Sequence, residues 1–134
     1  MKQILICFFI TLSMSIDAFP QGYASIEELL MAQCHEEFKE YFEAERFSKE
    51  DMNSALKLGT LVRQPQKLIA SATQLSNKGY AIGDYWLGWC YEGGEGIEMN
   101  YDKAFYYFQK AANHRNPFPY ALEKLGSYYY SGTG

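Results

Sequence analysis

Leu-Gly-Trp-Cys-Tyr-Glu-Gly-Gly-Glu-Gly at 87–96 returns at 125–134 as Leu-Gly-Ser-Tyr-Tyr-Tyr-Ser-Gly-Thr-Gly, so an LGxxYxxGxG frame repeats with a period of 38 residues. Self-similarity at such a period marks a stacked array of small helical units. Arrays of this kind bury their apolar faces against neighbouring units, and they bind partners more often than they catalyse.

The residues around the frame show what one unit contains. Gly83, Leu87 and Tyr91 recur every four residues and share one face of a helix, while Gly88 lets a neighbouring backbone come close. The loop Gly93-Gly94-Glu95-Gly96 breaks that helix, and Asn100 or Asp102 starts the next, whose inner stripe is Ala104, Tyr107, Phe108, Ala111 and Ala112. Upstream, Ser25 and Glu28 form a capping box, which predicts a helix over 26–46 behind Ile26, Leu30, Cys34, Phe38 and Phe42. Ser48 with Asp51 repeats the start signal for a second helix carrying Leu56, Leu58, Leu61 and Val62, and Pro65 marks the turn expected to end it. A third helix with Leu68, Ile69, Ala72 and Leu75 closes at Asn77-Lys78-Gly79. The expected fold is all-α, built of stacked helical hairpins.

These residues resemble a Sel-1-like repeat, a short helix-turn-helix unit related to the tetratricopeptide repeat, with the pattern AxxxLGxxYxxGxGVxxDxxKAxxYxxKAAxxG. Gly83 stands at the first alanine, followed by Leu87, Gly88, Tyr91, Gly94, Gly96, Ile97, Asn100, Lys103, Ala104, Tyr107, Lys110, Ala111 and Ala112. Ala121, Leu125, Gly126, Tyr129, Gly132 and Gly134 open a further unit. The resemblance divides the chain into an N-terminal helical cap region at 25–66 and repeats at 67–134, with one complete unit at about 81–116 and a half unit at 121–134. It implies a short right-handed α/α superhelix (solenoid) that acts as an adaptor or scaffold in a secreted, periplasmic or secretory-lumen setting. It implies no catalytic residue, metal or cofactor. Two departures stand out: Arg115 replaces the capping glycine, and Pro117-Phe118-Pro119 enlarges the following turn.

Lys2, the apolar run from Ile4 to Ile16 and small residues near Ala18 have the order of a secretory signal peptide over 1–18, with cleavage after Ala18 or as late as Ala24. A buried first helix is the alternative. The 134-residue chain has a net charge of -4, and residues 25–51 hold nine acids against three bases. Such a balance lacks the concentrated basic face of a nucleic-acid binder. Nor is membrane association expected after cleavage of the leader. With Cys7 in the leader, Cys34 and Cys90 remain, either as a disulfide of an oxidising compartment or as small core hydrophobes.

The chemistry-bearing patterns are weak. Ser54-Ala-Leu-Lys57 spells SxxK, but neither an SDN nor a KTG follows. His35-Glu36-Glu37 lacks the second histidine of HExxH because Lys39 stands there, and Cys34, His35, Cys90 and His114 form a zinc set only if distant segments converge. Glu36 and Glu40 sit one turn apart, as expected of a solvated face, and Gly93–Gly96 lacks the Lys-Ser or Lys-Thr of a phosphate loop. Trp86, Trp89, Tyr106 and Tyr130 fall off the main packing stripes, either as partner-binding hot spots or as covers for the terminal hairpins. The expected function is a protein-interaction module of unidentified partner. A secreted hydrolase of the β-lactam-processing kind is the alternative, since one cysteine-rich bacterial branch of the resembling family is linked with that chemistry. A third reading is a fragment without independent activity. The half unit leaves Leu125, Tyr128 and Tyr129 to be covered by a partner, a second copy or the preceding hairpin, which predicts self-association or low stability.

Overall fold

A computed structural model describes residues 25–132, and within them every regular element is a helix. The order is α1 (Ile26–Glu37), α2 (Lys39–Glu45), α3 (Lys49–Lys57), a 3-10 turn (Leu58–Leu61), α4 (Pro65–Asn77), α5 (Ala81–Gly93), α6 (Tyr101–Ala112) and α7 (Pro119–Ser131). The leader expected at 1–18 lies outside the described residues. From α4 onward each helix packs on the next, and α1 rests on α3 and the 3-10 turn. The hairpin array expected from the repeat is therefore present.

Caps fix the helix starts. The hydroxyls of Ser25 and Ser48 accept the amides of Glu28 and Asp51, and Asn100 rather than Asp102 caps α6 by accepting from Lys103 N at 3.0 Å. Two boundaries differ from the sequence reading. The helix predicted over 26–46 breaks at Phe38 (φ -108°, ψ 25°), which turns the chain so that Phe38, Tyr41 and Phe42 all enter the core. Pro65 opens α4 instead of closing the helix before it: the first helical position needs no N–H, and the ring presets φ.

Close helix approach is bought by glycine at two points. A Cβ on Gly83 would lie 2.4 Å from Ser76 N and 2.6 Å from Ala72 O, so α5 meets the backbone of α4 directly. That contact explains why this chain departs from the alanine of the repeat pattern. A Cβ on Gly88 would meet the Phe108 ring at 2.8 Å, and Phe108, Ala104 and Ala111 are fully buried beneath it.

The second departure from the pattern also has a packing role. Phe118, from the enlarged Pro-Phe-Pro turn, is 1% exposed and sits 4.8 Å from Phe38, 5.2 Å from Tyr41 and 5.0 Å from Tyr85, ring centre to ring centre. Tilted and edge-on aromatic contacts of this kind add to the area they bury. The extra turn residues thus dock the N-terminal helices onto the repeats. Ile82 N–H adds a long-range tie by donating to the Tyr41 hydroxyl at 3.1 Å, which satisfies an otherwise orphaned amide at the start of α5.

Candidate functional site

The one fully buried carboxylate among the described residues is Asp84, in the first turn of α5. Ser76 Oγ of α4 donates to its Oδ1 at 2.5 Å, His114 Nε2 faces its Oδ2 at 2.8 Å, and Lys110 Nζ of α6 stands 3.4 Å from Oδ1. The aspartate therefore joins three consecutive helices of the array. A serine, an aspartate and a histidine in contact invite comparison with a nucleophilic triad. Here, however, the carboxylate lies between the other two, so the imidazole cannot take the serine proton, and the carboxylate has no exposed surface. This arrangement compensates a buried charge and fixes helix register. Sequence reasoning missed it because its members are 8, 26 and 30 residues from Asp84 and share no motif.

A smaller polar tie joins α3 to the end of α4. Asp51 accepts from Lys78 Nζ at 2.6 Å and from Tyr80 OH at 3.0 Å, and the Lys78 bond in first place holds its carboxyl below the usual range. The SxxK pair lies in α3, and no hydrogen bond joins Ser54 to Lys57. Among the described residues no three of His, Cys, Asp and Glu gather as a metal set. Cys34 and Cys90 are not joined by a disulfide. Cys90 is buried in the core cluster, and burial pushes its thiol up to about 12, whereas Cys34 lies part-exposed on α1.

The four aromatic candidates separate. Trp86 is 6% exposed and packs against Tyr85 and Trp89, so most of its ring is interior and only an edge reaches a cleft shared with α1 and α3. Trp89 is half-buried beside it. Tyr106 and Tyr130 are on the surface, with Tyr130 97% exposed. Tyr106 continues into a ladder, edge-on to Tyr107 at 5.1 Å, which stacks on Tyr91 at 5.6 Å with Lys103 over the Tyr91 ring. Tyr128, by contrast, is covered by Phe105 and Phe108 of the preceding hairpin, while Tyr129 stays largely exposed.

All the large apolar side chains more than half exposed among the described residues fall between 99 and 130: Met99, Tyr101, Tyr106, Leu122, Tyr129 and Tyr130. Concentration of that kind marks an interaction surface more often than scattered exposure does. The Sel1 repeat pattern matches the chain at residues 81–116 and 119–134. Comparison with curated proteins and with solved structures finds no match.

Proposed function

The chain is a Sel1-like repeat protein, a class that generally mediates protein–protein interaction, and from that premise we propose that it is an exported interaction module. The observation that carries this reading is the run of exposed aromatics on α6 and α7, Tyr101 and Tyr106 on the first and Tyr129 and Tyr130 on the second. Tyrosine suits such a surface because it offers a large rigid apolar body with a polar tip. Export is supported by Lys2 and the uncharged apolar run from Ile4 to Ile16. No described helix is long and apolar enough to cross a membrane.

The test is capture of partners from the exported fraction with tagged full-length chain, wild type against Tyr106→Ser/Tyr130→Ser. Both residues are exposed, so the double variant is expected to keep its melting temperature and lose its partners. Undiminished capture by that variant sinks the assignment of the surface, and retention of the chain with its leader in the cytoplasm sinks export. The α7 face bearing Leu122, Tyr129 and Tyr130 is also the surface through which we propose self-association. Sedimentation that stays monomeric across the accessible concentrations overturns it.

A further inference from the structure

A second surface lies away from these tyrosines. Leu30, Cys34, Leu56, Ile82 and Trp86 are among the walls of an apolar cleft between α1, α3 and α5, floored toward the repeats by Phe118. The cavity volume of the cleft is about 40 Å³, room for the tip of one inserted side chain. A shallower groove shares Leu56 as a wall and continues past Met31, His35 and Glu36.

Among the described residues, the only charged side chain lining the cleft is Glu37. The Tyr120 hydroxyl donates to Glu37 Oε1, which fixes the carboxylate and leaves Oε2 without a hydrogen bond among the described residues. Glu36 is exposed in the adjoining groove, and Glu123 of α7 acts electrostatically on Tyr85, which lines the cleft, and on Tyr120, which holds Glu37. Among the described residues, neither groove is lined by lysine or arginine. Across 25–51 the nine acids against three bases extend the same sign of field.

We propose that this cleft docks a basic segment of a separate protein, with one aliphatic side chain seated between Cys34 and Trp86 and flanking lysines or arginines meeting Glu36 and Glu37. The apolar walls supply the anchor and the carboxylates select the sign of the flanks. An acidic segment or a fatty-acid carboxylate brings a like charge against Glu37 and is disfavoured. The proposal rests on the reading of the chain as a binding module but not on its aromatic face.

Full-length chain is titrated with three fluorescent twelve-residue peptides built from Leu and Lys, from Leu and Glu, and from Ser and Lys. Binding is read by anisotropy, and its place by the rate at which iodoacetamide alkylates Cys34, followed peptide by peptide by mass spectrometry. Cys90, buried with its thiol pushed up to about 12, serves as the unreactive internal reference. The Leu/Lys peptide is expected to bind at least roughly tenfold more tightly than the other two, to weaken as salt rises, and to slow Cys34 alkylation in step with occupancy. Glu36→Gln/Glu37→Gln is expected to lower that affinity about three- to tenfold with helical content unchanged. Equal binding of the Leu/Glu peptide, or binding that leaves Cys34 alkylation untouched, overturns the proposal. Loss of peptide binding in Tyr106→Ser/Tyr130→Ser also overturns it, because it places the peptide on the other surface.

Discussion

Three glycines of the repeats offer the same substitution in three surroundings. Replacing glycine by alanine inside a helix stabilises by about 0.5–1 kcal/mol when nothing else changes, because alanine has less backbone freedom to lose. At Gly126 nothing lies within 4 Å of the added Cβ, so Gly126→Ala is expected to show the full gain. For a folded part of about 110 residues, this raises the melting temperature by roughly 2–4 °C. Gly88 occupies the equivalent place in the preceding unit, but there the Cβ meets the Phe108 ring at 2.8 Å and Ala104 O at 3.2 Å. Overpacking costs about 1–3 kcal/mol, and a ring can yield, so Gly88→Ala is expected to come out destabilised by up to about 2 kcal/mol. At Gly83 the opposing atoms are Ser76 N and Ala72 O, which belong to the α4 backbone, and the shift also disturbs the Ser76–Asp84 bond. Gly83→Ala is therefore expected to be the most harmful, at about 2 kcal/mol after the alanine gain is subtracted from the upper end of that range. Urea and thermal unfolding followed by circular dichroism give all three values. A destabilised Gly126→Ala, or a stabilised Gly83→Ala, refutes the assignment of tight and open helix faces.

Other perturbations test the polar ties. Asp84→Ala leaves His114 and Lys110 without their carboxylate, and since Lys110 is 44% exposed and can rehydrate, the expected loss is about 2–3 kcal/mol by urea unfolding, below the range for a wholly buried pair. Tyr41→Phe removes the acceptor of the Ile82 amide with little change of shape, and is expected to cost about 1–3 kcal/mol in the same assay. Alkaline pH provides a third probe. Burial raises Cys90 from 9.0 to about 12 and raises Tyr128 from 10.0 to about 12, so these groups stabilise the fold fully below about pH 9. That contribution is lost as pH climbs toward 12. Stability measured against pH is expected to be flat in this respect up to about 9 and then to fall, with Cys90→Ala reducing the early part of the fall. A Cys90→Ala profile parallel to wild type contradicts that assignment.

Much of the architecture was legible because local patterns and packing agree. Ser25, Ser48 and Asn100 announce helix starts and do cap them, and the stripe of Ala104, Phe108, Ala111 and Ala112 is buried as its spacing requires. Where local pattern left the outcome open, the deciding contact was distant. Trp86 stands off its helical stripe, yet it is 6% exposed beside Tyr85 and Trp89 and faces a cleft whose other walls come from α1 and α3, and no periodicity within α5 carries that information. The break at Phe38 is likewise set by Phe118 and Tyr120, about eighty residues away.

The repeat, its helices and the glycine turns can be read from residue order alone, since each depends on residues within a few positions of one another. So can the acidic bias of the N-terminal helices. Long-range packing is what makes Asp84 the hub of three helices, sets the inserted Phe118 to lock the N-terminal helices to the repeats, and leaves some aromatics at the surface while burying others. Burial and charge compensation are properties of what surrounds a side chain, and in a stacked array those surroundings come from other helices.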